Sequence, residues 1–166
     1  MALLFWDASA LVKRYTPEVG RETANALFAV APVRDMATSP WGYVETYSIL
    51  LRKLNGGTLD LPAFTTAVTA LQTEVVASPD FGLLSISDAV IFASVSQMRH
   101  HNLNATDAAL LTMLLEYTQL SSISGSQCVM IAADQRLVRA AAAEGLRTLN
   151  PEFLAASDVP EFVASL

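Results

Sequence analysis

"QCVMIAADQRLVRAAAAEG", residues 127–145, decides how this chain folds. The uncharged run 127–133 reads as a buried strand. Asp134 ends it, and apolar residues then recur at helical spacing until Gly145. An apolar strand that runs straight into a helix belongs to a parallel sheet, whose strands need helical crossovers that cover both faces. The opening repeats the pattern: in "LLFWDASALVKRY", residues 3–15, an apolar run stops at Asp7 and a short helix follows over 9–15.

Between these two units the same alternation continues. Pro17 marks a helix start, and a helix is expected through Val30. A short strand in "VRDMATS" ends before Pro40. "PWGYVETYSILLRKLNGG" follows as a helix, with Pro40 in its first turn, Val44, Tyr47, Leu50, Leu51 and Leu54 on one apolar side, and Gly56-Gly57 as its stop. Residues 60–78 form another helix, with Phe64, Val68, Leu71 and Val75 in phase. "FGLLSIS" is a strand candidate, and "SDAVIFASVSQMRHH" and "NATDAALLTMLLEY" both open on a capping residue and continue as helices. "SSISGSQ" reads as a loop, "LRTLN" as a last short strand, and the tail after Pro151 as a turn or helix. The expected fold is α/β: a single domain over 1–166, a three-layer α/β/α sandwich around a mostly parallel sheet.

Composition narrows the function. At 166 residues the chain can bury about 70% of its unfolded surface. It is 52% hydrophobic and 16% charged, which excludes disorder. A mean hydropathy of +0.39 leaves apolar surface for a partner. No stretch is long and apolar enough to span a bilayer, and the start has neither the basic region nor the cleavage site of a secretory signal. The single cysteine, Cys128, sits inside the strand and reads as a buried thiol. A cytoplasmic location is expected. Ten Lys and Arg against sixteen Asp and Glu give a net charge of −6, which argues against a DNA-binding module held by phosphate neutralisation. It fits an enzyme whose acids hold divalent cations, because bound metal reverses the local sign.

In open parallel sheets ligands sit beyond the carboxyl ends of the strands. Asp7 and Asp134 follow strands, Asp107 lies in the first turn of its helix, and Glu45 is near the start of the helix that begins at Pro40. Carboxylates converging there without a cation would repel one another and raise each other's pKa. Mg²⁺ or Mn²⁺ relieves that repulsion, since both prefer oxygen ligands, and each can activate water and neutralise a phosphate. Phosphodiester hydrolysis is the chemistry that most often needs this.

These residues carry a resemblance. "FWDASALVKRY" is similar to the opening of PIN-domain ribonucleases of the kind that supplies VapC toxins, a strand ending in D-x-S-A-L-V-K-x-Y. "VETYSILLRK" resembles the family's third helix at Glu45, "NATDAALL" its helix start at Asp107, and "MIAADQRLVRAAAAEGL" its final strand, acid and helix at Asp134. The resemblance spans the chain with the acids in family order. It implies a PIN-like fold and a metal-dependent endoribonuclease in which Asp7, Glu45, Asp107 and Asp134 bind Mg²⁺ or Mn²⁺. The resemblance further implies that RNA is cut to leave a 5′-phosphate, and, as in many members, a small antitoxin protein partner and a homodimer. Many relatives place Ser or Thr two residues before the last aspartate. Here Ala132 stands there, so a less firmly oriented Asp134 is expected.

Each residue also has a plainer role. Asp7 and Asp134 could cap helices, Asp107 could answer the helix dipole, and Glu45 could be a solvated helix residue. Asp88, in "SISDAVIF", shares the D-A context of Asp107, but Asp107 has the better spacing to the last strand. Ser9 and Asn104 are candidates to orient the carboxylates, or are simple caps. Lys13 and Arg14 could meet a phosphate or be solvated. His100 and His101 read as helix-end residues near the negative dipole end. A receiver-type phosphotransfer domain would need a lysine after a late strand, and none follows Lys53. The remaining alternative is a catalytically silent PIN-like binding module, from which one or more of the four acids would be missing.

Overall fold

The computed structural model describes residues 2–122 and 127–166. Strand β1 (Ala2–Trp6) leads into α1 (Ala8–Leu11), which tightens into a 3₁₀ turn at Val12–Arg14, and then into α2 (Arg21–Val30). A 3₁₀ turn at Val33–Asp35 precedes β2 (Met36–Thr38), α3 (Pro40–Asn55) and α4 (Leu61–Leu71), which widens into a π turn at Gln72–Val76. Next come β3 (Gly82–Leu83), α5 (Asp88–Ala93), α6 (Val95–His101) and α7 (Ala105–Ser122). The chain closes with β4 (Gln127–Ile131), α8 (Gln135–Ala143), β5 (Arg147–Leu149), a 3₁₀ turn at Ala156–Asp158 and α9 (Val159–Ala164).

The strands form one sheet in the order β3-β2-β1-β4-β5, parallel at every pairing. Period-2 alternation sorts its side chains into two cores. Leu4, Trp6, Val129 and Ile131 face a layer built from α1, α2, α3, α4 and α9. Phe5, Cys128, Met130 and Ala132 face α5, α7 and α8. The sandwich is therefore α/β/α, as expected. From β1 the chain builds outward through β2 and β3, then returns to place β4 on the other side of β1. The gap between the ends of β1 and β4 is thus the switch point where a parallel sheet opens a crevice. The Asp7 amide donates to the Ile131 carbonyl at 2.9 Å, carrying the pairing one residue past β1.

Several expectations need correction. The helix expected from Pro17 begins at Arg21, because Gly20 adopts a left-handed φ of 89° and the Thr16 hydroxyl folds back on the Val12 carbonyl at 3.0 Å. The helix expected across "SDAVIFASVSQMRHH" is two, separated at Ser94. The expected loop "SSISGSQ" begins inside α7, and residues 123–126 lie outside the described ones. Most telling is α3. Leu50 of its apolar stripe is buried, but Val44, Tyr47 and Leu51 are exposed. The buried row is instead Gly42, Thr46 and Leu50, at i, i+4 and i+8, while Tyr47 meets Phe64 of α4 edge-on at 5.9 Å.

That row works because Gly42 has no side chain. The Thr38 hydroxyl donates to the Trp6 carbonyl at 2.7 Å, and a Cβ on Gly42 would lie 2.3 Å from that hydroxyl. The first turn of α3, capped by Ser39 onto the Gly42 amide at 2.9 Å, therefore rests directly on the end of β2 and aims the next turn, with Glu45, at the crevice. Alanine is the better helix former by about 1 kcal/mol. Gly42→Ala should nonetheless lower Tm by several degrees, the effect of roughly 1–3 kcal/mol of overpacking. A Tm equal to or above that of the wild type in a calorimetric scan contradicts this packing.

Candidate metal centre

The crevice holds a cavity of about 220 Å³ whose lining includes Asp7, Ser9, Glu45, Asn104, Asp107 and Asp134. The four acids stand just after β1, on α3, in the first turn of α7 and, beyond β4, at the cap of α8. Asp88 heads α5, is exposed and does not line the cavity, so Asp107 is the acid the fold brings here.

Asp7 is buried at 5% exposure and caps α1. Its Oδ2 accepts from the Ser9 amide at 2.9 Å and from the Ser9 hydroxyl. The same Ser9 Oγ accepts from the Ala133 amide at 2.9 Å and the Asp134 amide at 3.1 Å. One hydroxyl thus joins the acid after β1 to the chain after β4. Asp134 caps α8 through Oδ1, which accepts from Arg136 N at 2.7 Å and Leu137 N at 3.1 Å. The cap on α8 thus holds the Asp134 carboxylate and Ser9 holds its backbone amide, with no polar side chain at 132. Asn104 and Asp107 clasp each other: Asn104 Nδ2 donates to Asp107 Oδ2 at 2.8 Å, and Asp107 N donates to Asn104 Oδ1 at 2.8 Å. Capping and site placement are here the same contacts.

The electrostatics is that of crowded acids. Burial pushes the Asp7 carboxyl up, against hydrogen bonds from Ser9 and Ala8 that hold it down, and Asp134 adds to the rise. Glu45 is raised by burial and then by Asp7, with Arg52 opposing. Asp107 is raised to about 6, by burial first and then by Asp7, Asp134 and Glu45, with Arg136 opposing. The donor set is all oxygen, which suits a hard cation. Among the described residues no three of these acids have carboxylate oxygens all within 4.8 Å of one another. That spacing fits Mg²⁺, which takes one or two carboxylates directly and keeps waters for the rest.

The sequence reading missed Ser48, Ile49 and Arg52, which line the same cavity. They lie three, four and seven residues after Glu45, a spacing that puts them on its helix face. Arg52 Nη1 donates to Ser48 Oγ at 3.1 Å. Lys13 and Arg14 do not reach the cavity: Lys13, 5% exposed, pairs with Glu152 at 2.6 Å, and Arg14 pairs with Glu74 at 2.9 Å and covers the Phe28 ring. A larger hollow of about 690 Å³ opens between residues 17–23 and 151–156, but its Glu18 and Glu152 are paired with Lys53 and Lys13.

No family model and no curated protein matches the sequence. Solved structures match its fold. The Mycobacterium tuberculosis toxin VapC20, which cleaves the sarcin–ricin loop, aligns at TM-score 0.58 and 18% identity over 82% of this chain and 94% of its own. PAE2754 from Pyrobaculum aerophilum aligns at 0.60 and 15% identity over 99% and 91%. A chain of FitAB, determined bound to an IR36 DNA fragment, aligns at 0.65 and 10% identity over 92% and 98%. The fold is PIN-like. No helix among the described residues is long and apolar enough to cross a membrane.

A carboxyl raised on folding takes up a proton between its ordinary 3.8 and about 6, so Asp107 favours the fold fully below that window and loses this contribution as pH rises through it. At pH 7 and without divalent metal, Asp107→Asn should therefore raise Tm by about 2–4 °C, the equivalent of roughly 1 kcal/mol after discounting for solvent screening. The gain should shrink towards zero by about pH 4. Denaturation scans across this range that show a loss at pH 7 contradict the raised Asp107 carboxyl.

Proposed function

We propose that this chain is a Mg²⁺- or Mn²⁺-dependent endoribonuclease, the toxin of a toxin–antitoxin pair. The observation that carries the reading is the convergence of Asp7, Glu45, Asp107 and Asp134 on one cavity at the switch point of a PIN-like sheet. The PIN-like fold shared with VapC20, and the sequence motifs around the four acids, support it further.

In this reading the four carboxylates hold the cation directly or through waters. When bound, the cation neutralises charge on the phosphate and makes water a better nucleophile. Ser9 fixes the Asp7 carboxylate and ties it to the amide of Asp134, while Asn104 fixes Asp107. Arg52, which forms no ion pair among the described residues, meets a phosphate oxygen of the RNA from the α3 wall. The exposed side chains of Trp41 and Val44 on α3 and of Ile91 and Phe92 on α5 support protein partners, namely a small antitoxin and a second copy of the chain.

Incubated with RNA and Mn²⁺ or Mg²⁺, the protein should yield fragments carrying 5′-phosphates, and chelation should stop the reaction. Asp7→Asn and Asp107→Asn should each lower the rate by at least about 100-fold, and Ser9→Ala by about 10–100-fold, the range for residues that orient a ligand. Intact RNA under all these conditions, or full activity in Asp7→Asn, excludes the nuclease and favours a binding module.

A further inference from the structure

A second group of ligating side chains lies outside the carboxylate cavity. α6 ends in His100 and His101, after which Asn102 turns the chain with a left-handed φ of 53°. Glu144 is the C-cap of α8. His101 Nε2 lies 2.7 Å from Glu144 Oε1. Consecutive helix residues do not normally face each other, yet the His100 and His101 rings meet edge-on with centroids 4.5 Å apart. One donor atom from each of His100, His101 and Glu144 lies within 4.8 Å of the other two, and no other set of three or more His, Cys, Asp or Glu among the described residues comes so close. One turn earlier on the same helix, Gln97 has a buried Oε1 with no hydrogen-bond partner among the described residues.

We propose that His100, His101 and Glu144 form a Zn²⁺ site that joins the end of α6 to the end of α8. Two imidazoles and one carboxylate are one of the ligand sets of three-residue zinc sites, in which the fourth position is left to water. Imidazole favours borderline ions such as Zn²⁺, whereas an all-carboxylate pocket favours Mg²⁺ or Mn²⁺. The two sites therefore differ in chemistry as well as in place. Bond lengths of 2.0–2.1 Å put tetrahedral donor atoms about 3.3 Å apart. The His101–Glu144 contact has to open by about half an ångström and the His100 ring has to turn in. Both are side-chain torsions at residues that solvent reaches, since His100 and Glu144 are exposed. Gln97, at i−4 from His101 and i−3 from His100, shares their helix face.

The test starts from the double variant Asp7→Asn, Asp107→Asn, in which the carboxylate cavity no longer competes for metal. Equilibrium dialysis against Zn²⁺ should find one ion per chain, with a rise in Tm and shifted imidazole resonances for His100 and His101. Adding His101→Gln or Glu144→Gln, each of which preserves size and hydrogen-bonding capacity, should weaken Zn²⁺ binding by at least about tenfold. Their circular dichroism should match that of the parent, so lost binding is not lost folding. No Zn²⁺ bound to the double variant, or undiminished binding after His101→Gln, overturns the site. Neither result depends on whether RNA is cut.

Discussion

The burial of neighbouring carboxylates on one sheet rim is the constraint around which this chain is built. Asp7 is held almost wholly out of water, its carboxyl raised by burial and then by Asp134, and burial followed by neighbouring acids raises Glu45 and Asp107 as well. Burial and like charge oppose this arrangement, so it needs directional contacts to persist. The Ser9 hydroxyl is the central one. By donating to Asp7 and accepting from the amides of Ala133 and Asp134, it fastens the ends of β1 and β4 together where the strand order reverses. The Asn104–Asp107 clasp and the seating of Gly42 on Thr38 bring the other two acids to the same place. In the proposed function a divalent ion at this rim would relieve the like-charge repulsion that opposes the free protein.

Much of this was legible in the sequence because the strongest signals are local. An apolar strand, an acid and a helix are written consecutively at residues 3–15 and again at 127–145, and parallel topology follows from their repetition. Placing the acids at strand ends and first turns was enough to bring them to one rim. The misreadings have tertiary causes. The stripe of α3 was chosen by hydrophobicity, but the helix docks through its smallest residues, since only a side-chain-free position fits against the Thr38 hydroxyl. Lys13 looked like an ordinary solvated lysine, and its partner Glu152 is 139 residues away in sequence. The turn at 17–20 depends on a left-handed glycine that proline signals do not reveal. Arg52 could have been found by stepping seven residues along the helix face from Glu45.

Helices α6, α7 and α8 carry two kinds of ligating side chain. Asp107 opens α7 and Asp134 caps α8, both at the rim, whereas His101 at the end of α6 meets Glu144 at the far end of α8. Oxygen-rich and imidazole-rich sites sort metals by softness, so the two need not compete for one ion in a mixed pool. A clamp between α6 and α8 also sits just ahead of the segment 102–104, which ends in Asn104, the residue that holds Asp107.

The most direct measurement is the anomalous diffraction of Mn²⁺ in crystals of the wild-type protein grown at neutral pH. A peak within the cavity lined by Asp7, Glu45, Asp107 and Asp134, lost in Asp7→Asn crystals, is the predicted result. Well-diffracting crystals with saturating Mn²⁺ and no peak among the four carboxylates would contradict a cation site at the rim.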